Sequence, residues 1–412
     1  MNGSIDGTGY SALPLNVATG NGFNAVLRGA PGYVANEVTV RHGHNLEGEQ
    51  FVNGNRQWNE TVVSASNGSV VIDGALVVGN VALYATFEPE EGSEWELVFS
   101  DEFNAEDYSQ PLDEKWMRCQ RYGSTWNRWL SDSKEVIYLQ GGNLVTRAIP
   151  NPDQESDPVP MITGGIKSNG RFGFTYGYVE ARILSNPWVG HFPAFWMMPE
   201  DQSAGWPGCG EIDIWEAIDT DGHSYHTVHS KWTYDLGYKN NPKSSFNAAV
   251  SYDRYHTYGL KWDESTLIWY IDGKEVGRYA KSKNASHLDQ GQWPYDKHFH
   301  LILNQSVGNG SWAKNADVSH TYETRFDWVR VYQAKGMYNT IGTVGIVSVN
   351  EDGKAVVECV GDGITVTVPA PKEVAVYDIT GRKVTEAYVE SSCMFRLLKG
   401  IYIVEGAKVF VK

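Results

Sequence analysis

The sequence predicts an all-β chain, with a large antiparallel sandwich or jelly roll at its centre flanked by two small β-sandwich units. Three observations lead there. Short segments alternating apolar with polar residues recur along the whole chain, the pattern of a half-buried strand. No helical period survives three turns, and only DRYH (253–256) hints at one. Gly, Asn and Pro punctuate the segments at the spacing of strand-to-strand turns.

Taken in order, residues 1–92 carry NEVTVRHG, ETVVSAS, SVVIDG and VALYATF, short strands between Gly/Asn turns that suggest an accessory sandwich of unassigned role. The acidic, Pro-containing FEPEEGSE (87–94) reads as a linker. Residues 93–334 hold the longest series of strands, among them RFGFTYGYVEARI, FPAFWMMP, GEIDIWEA, YHTVHSKW, HTYGLKW, HFHLILN and FDWVRVYQ. So many strands over about 240 residues fit a large jelly roll. Residues 335–345 (KGMYNTIGTVG) read as a second linker, and 346–412 as a third β unit. In that unit VAVYDITGRKV is strand, turn and strand, and LKGIYIVEGAKVFVK is a hairpin closing near Glu405, Gly406 and Ala407.

The chain of 412 residues has a formal net charge of −16. That charge speaks against nucleic acid or an anionic membrane as the main partner, since both attract basic surfaces. No apolar stretch reaches the roughly 18 residues a membrane span needs. The start MNGSIDGTGY has neither a basic segment nor an apolar core, so it reads as a mature or trimmed form. Fifteen Trp and 23 Tyr exceed what a core needs and suit the apolar faces of sugar rings, because both carry a polar tip that wants a partner. Of the four cysteines, Cys359 and Cys393 lie in one small segment where they are able to pair, while Cys119 and Cys209 fit no zinc spacing.

The chemistry concentrates in GEIDIWEA. In a strand, Glu211, Asp213 and Trp215 share a face and Ile212 and Ile214 take the other. Glu216 is then out of phase. One extra residue in the strand, a β-bulge at Trp215 or a neighbour, returns Glu216 to the face of Glu211 and Asp213. Glu211 then suits a nucleophile and Glu216 an acid/base, with Asp213 between them orienting Glu211. A carboxyl separation near 5–5.5 Å characterises a retaining glycosidase and roughly 6.5–9.5 Å an inverting one. Three carboxylates this close cannot all ionise at their ordinary pKa, and the one pushed up is a ready general acid. An exposed acidic edge strand is the bland alternative, but uncompensated charge set among aromatic residues is costly.

With its surroundings this run resembles glycoside hydrolase family 16. The matching strings are FSDEF (99–103), MITGGIKSNGRFGFTYGYVEARI (161–183), GHFPAFWMMP (190–199), GWPGCGEIDIWEA (205–217), HTVHSKWTYDLG (226–237), YHTYGLKWDESTLIWYIDGKEV (255–276) and FDWVRVYQ (326–333). The resemblance implies a concanavalin-like jelly roll of two curved antiparallel sheets with an open cleft. It implies a secreted or cell-surface, monomeric enzyme that cleaves polysaccharide internally with retention. The residue inserted before the last Glu is similar to the laminarinase, agarase and carrageenase branch. β-1,3- or mixed-linkage β-1,3/1,4-glucan is the substrate expected. Departures in 121–148 and in NQSVGNGSWA keep red-algal galactans as an alternative. A non-catalytic glycan-binding jelly roll is a further alternative, disfavoured because all three carboxylates are present.

Expected sugar-binding residues are Trp126, Arg128, Trp129, Trp196, Trp206, Trp215, His229, Asn304 and Gln305. The resemblance also implies one structural Ca²⁺ held by Glu102, the Gly142 carbonyl and Asp327, with no cofactor for catalysis. The C-terminal unit resembles type IX secretion sorting domains through its VAVYDITGRKV and LKGIYIV strings, with an accessory domain as the alternative.

Overall fold

The structure is a computed structural model. It describes residues 94–342 apart from 253 and 338, together with the strand-bearing parts of 3–90 and 356–411.

The central part is a sandwich of two antiparallel sheets. One sheet runs, from edge to edge, through Met117–Arg118, Met161–Lys167, Phe299–Val307, His191–Pro199, Glu211–Ala217, His223–His229 and Ser245–Ala249. The facing sheet joins Ile137–Leu139, Leu144–Pro150, Tyr322–Ala334, Gly177–Asn186, His256–Trp262, Thr266–Ile271 and Lys274–Ala280. Trp95–Asp101 pairs with the far half of Tyr322–Ala334.

Alternation decides what each strand buries. Phe195, Met197, Ile212, Leu301 and Leu303 of the first sheet are fully buried, as are Val179, Ala181, Leu260, Trp269 and Val331 of the second. Side chains of one parity fill the space between the sheets, and those of the other parity are presented outward. At roughly 25 cal/mol per Å² of apolar area, these aromatic and branched residues supply the main drive to fold.

The chain divides into two compact units, 1–340 and 341–412, where the sequence suggests three. The N-terminal strands form two three-stranded sheets around Ala25, Leu27, Val38, Val40, Val70 and Ile72. They belong to the first unit, where Tyr33 packs edge-on against Tyr332, with ring centroids 6.3 Å apart. The expected linker at 335–345 begins inside the large sheet, since Thr340–Gly342 is a strand of it; residues 343–345 lie outside the described residues. The second unit has a three- and a four-stranded sheet around Ile364, Val366, Val374, Val376 and Phe395. Cys393 is a free thiol there; the side chain of Cys359, its expected partner, lies outside the described residues.

Candidate active site

GEIDIWEA forms the strand Glu211–Ala217 between His191–Pro199 and His223–His229. Its pairing slips once. Asp213 lies opposite Trp196 and Trp215 opposite Phe195, which leaves Ile214 without a counterpart. On the other side Asp213 faces Thr227 and Glu216 faces Tyr225. This is the expected bulge, and Ile214 is the residue absorbed. Ile212, Ile214 and Trp215 are all fully buried. Glu211, Asp213 and Glu216 take the opposite parity and share the outward face.

Two hydrogen bonds fasten the bulge. The His226 Nδ1–H donates to the Ile214 carbonyl at 2.6 Å, and burial holds this imidazole neutral by lowering its pKa to about 4. The Trp269 indole, from the facing sheet, donates to the Asp213 carbonyl at 2.9 Å. Neither residue stands out in the sequence as part of the site, because each acts on backbone from a partner strand.

The three carboxylates have distinct surroundings. Glu211 Oε2 accepts the Trp206 Nε1–H at 2.9 Å. His229 Nε2 lies 3.6 Å from Glu211 Oε1 and 3.3 Å from Asp213 Oδ2, so the link between the two acids runs through this imidazole. Asp213 is 2% exposed, and its Oδ2 has no hydrogen-bond partner. Burial first, and then the Asp213 charge, push Glu211 up to about 7. Burial raises Asp213 as well. Burial, followed by the charges of Asp213 and Glu211, pushes Glu216 well above the carboxylate range. Only Glu211 receives the Trp206 hydrogen bond, which favours its ionised form. The arrangement suits Glu211 to carry charge and Glu216 to keep its proton.

Aromatic rings flank the carboxylates. Trp206, 48% exposed, meets Tyr234 edge-to-face at 4.6 Å and lies 6.0 Å from His229. Beyond Glu216, Tyr225 packs edge-on against Trp312 at 5.1 Å, and Trp312 is also 48% exposed. Thr227 and Ser245 share a hydrogen bond of 3.1 Å on adjacent strands. Tyr225, Tyr234 and Trp312 escape notice in the sequence; the signal available was an aromatic residue in period with His229 for Tyr225, and a Gly/Asn-rich turn ending in Trp for Trp312.

Several expected sugar-binding residues do other work. Trp215 is a correction: the bulge turns it into the core, where it packs on Tyr258 at 5.2 Å. Gln305 is another, fully buried with its amide on Ser306 and Thr324. Neighbours in a strand face opposite ways, so Asn304 and Gln305 cannot both reach a cleft. Asn304 keeps the cleft parity, but it is buried between the Trp196 indole, which it accepts at 2.7 Å, and Ser306. Trp196 is itself buried and roofed edge-on by Trp126 at 4.8 Å, so it offers no open stacking face. Trp129 packs on the cluster of Ala148, Met161, Val307 and Tyr322. Arg128 donates to the Thr125 and Gly308 carbonyls and covers the Trp129 ring at 4.1 Å; it staples two loops rather than reaching for substrate.

The side chains expected to hold calcium already carry cationic partners. Glu102 takes both arms of Arg330, at 2.9 and 2.7 Å, and Asp327 accepts Arg182 at 2.7 Å. Calcium prefers six to eight oxygens. With these carboxylates neutralised, a cation near the Gly142 carbonyl would have to rely on backbone carbonyls and water, so these side chains do not fit the expected role.

The sequence profile described as "Glycosyl hydrolases family 16" matches residues 124–330. A keratan-sulfate endo-1,4-β-galactosidase of Sphingobacterium multivorum is 35% identical over 249 residues, covering 58% of this chain and 56% of that protein. A β-glucanase of Rhodothermus marinus is 30% identical over 253 residues, covering 58% of this chain and 85% of its own length. A glucan endo-1,3-β-glucosidase A1 of Niallia circulans is 27% identical, with 58% and 38% covered. The chain thus spans little more than half of the first of these relatives and less than half of the third. Among solved structures, the laminarinase from Rhodothermus marinus superposes with a TM-score of 0.51 at 26% identity, over 58% of this chain and 98% of that one.

Proposed function

The chain belongs to glycosyl hydrolase family 16, and from that premise we propose that it cleaves a β-linked polysaccharide internally by double displacement with net retention. The observation that carries the reading is the bulge, which sets Glu211, Asp213 and Glu216 on one face with Trp206 orienting the first.

In this mechanism Glu211 attacks the anomeric carbon while Glu216 gives its proton to the departing glycosidic oxygen. Attack from the opposite face yields an α-linked glycosyl-enzyme. Glu216, now a carboxylate, takes a proton from water as that water displaces Glu211 and restores the β configuration. Burial, and after it the charge of Asp213, keeps Glu216 protonated, and His229 offsets the charge on Glu211. Trp206 and Trp312 offer apolar faces to sugar rings on either side of the scissile bond.

For the polysaccharide, β-1,3- or mixed-linkage β-1,3/1,4-glucan is the reading supported by the relatives named β-glucanase and glucan endo-1,3-β-glucosidase. A β-galactoside backbone is the second reading, favoured by the 35% identical relative named for keratan sulfate. A net charge of −16 works against a densely sulfated chain. Product analysis on laminarin, barley glucan, keratan sulfate and agarose separates the two: oligosaccharides from the first pair alone support glucan, and release from the second pair alone overturns it.

The C-terminal unit is read as a sorting or accessory domain, and the protein as a secreted or cell-surface monomer. Export of a reporter fused to 346–412 by a host with type IX secretion tests the first point, and light scattering of the full chain the second.

A further inference from the structure

One carboxylate oxygen each from Glu211 and Asp213 and one ring nitrogen of His229 all lie within 4.8 Å of one another. Zinc bonds to imidazole nitrogen and carboxylate oxygen at about 2.0–2.2 Å, which sets tetrahedral ligand atoms roughly 3.3–3.6 Å apart. The two distances from His229 Nε2 are 3.3 Å to Asp213 and 3.6 Å to Glu211. An edge of the tetrahedron therefore exists on each side of the imidazole before any ion arrives.

A second observation points to a ligand independently. Asp213 is 98% buried by its 2% exposure, and its Oδ2, the atom turned to His229, has no hydrogen-bond partner. A buried carboxylate oxygen that faces an imidazole nitrogen at 3.3 Å yet accepts no hydrogen bond is only partly compensated. The other Glu211 oxygen is fixed by the Trp206 indole, which leaves Oε1 directed at the same point. Trp206 thus acts as an outer partner that orients a ligating carboxylate.

We infer that Glu211, Asp213 and His229 form a three-ligand site for zinc, with the fourth position open to the cleft, and that zinc and glycan exclude one another there. One imidazole with two carboxylates suits zinc rather than magnesium or calcium, which favour all-oxygen shells with more ligands. The His229 side chain is 27% and that of Glu211 16% exposed, so the ion has a path in. Occupancy would tie up the proposed nucleophile and silence the enzyme reversibly. The binding itself does not depend on which glycan is cleaved, or on cleavage at all.

The test is calorimetric titration of zinc chloride into the full chain in chelator-free buffer. One ion per chain is expected, with no heat of binding from calcium or magnesium chloride. His229→Gln should bind zinc at least about 100-fold more weakly, since even outer-partner changes at metal sites cost 10–100-fold. His223→Gln, on the same strand but outside the three-atom set, should bind as wild type does. Anomalous scattering at the zinc edge from soaked crystals should place the ion against all three atoms, and this readout needs no variant. Absence of stoichiometric binding, His229→Gln binding as tightly as wild type, or an ion found elsewhere overturns the inference.

Discussion

Trp206 donates its indole N–H to Glu211 Oε2 at 2.9 Å from a loop that precedes the catalytic strand by only a few residues. A residue exposed enough to meet a sugar therefore also fixes the carboxylate proposed to attack it. The hydrogen bond lowers the Glu211 pKa, against the burial that raises it to about 7. Trp206→Phe keeps an aromatic face and removes the donor. Its kcat/KM should fall roughly tenfold to a hundredfold, as expected for a hydrogen bond to a charged group worth about 1.5–3 kcal/mol. Because the nucleophile must be ionised, the acidic limb of the pH–rate profile should move to higher pH, which a profile on soluble substrate reads directly.

Asp213 acts on the other limb. Its charge is the second cause, after burial, of the raised Glu216 pKa. In Asp213→Asn that repulsion is gone, so Glu216 should lose its proton at lower pH. The alkaline limb of the kcat/KM profile should shift toward acid, opposite in sense to the Trp206→Phe effect. An unmoved alkaline limb would show that Asp213 does not act on the proton donor.

Glu216→Gln removes the proton donor but leaves the nucleophile. Hydrolysis of polysaccharide should drop by about 10²–10⁴-fold, the usual worth of general acid–base catalysis. An aryl glycoside whose leaving group needs no proton should suffer far less in its first step, and added azide should restore turnover by replacing the base-activated water.

The raised Glu211 pKa is also a statement about stability. Its folded value of about 7 exceeds the ordinary 4.5, so the native state binds the proton more tightly than the unfolded chain does. The destabilisation is absent below about pH 4.5, grows between there and pH 7, and is complete above it, reaching about 3 kcal/mol. Glu211→Gln should therefore be inactive yet gain more stability over wild type at pH 8 than at pH 5. Denaturant unfolding at the two pH values measures the difference.

Trp215 and Trp206 bracket the same strand but differ in role. Trp215→Ala opens a cavity in the core and should cost about 3–5 kcal/mol. Trp206→Ala, half exposed, should change stability little and activity greatly. Unfolding curves of the two variants distinguish core from cleft.

The strand alternation and the phase of Glu216 were legible in the sequence, and the bulge follows from them because a period of two admits only one way to align three acids. What the bulge does to Trp215 was harder to see. Absorbing Ile214 rather than Trp215 turns the indole inward, and the sequence alone does not choose between neighbours. Asn304 and Gln305 cannot both face a cleft by the same parity rule, and their sorting needs the register with Ala194, which only pairing supplies. The clamps from His226 and Trp269 and the ring pair of Tyr225 with Trp312 join residues 12 to 87 positions apart, so their roles appear only once the sheets are assembled. The acids expected to bind calcium came from the family resemblance alone, and their arginine partners, Arg330 and Arg182, lie far from them in sequence or on an adjoining strand.

The most direct measurement is the configuration of the product at the moment it forms, followed by proton NMR in the first minutes of hydrolysis of whichever glycan the enzyme cleaves. With Glu211 attacking and Glu216 delivering the proton from one face of the bulged strand, the β-anomer should accumulate first and only later equilibrate with the α. Initial release of the α-anomer would mean that water, not Glu211, attacks the sugar, and would contradict the assignment.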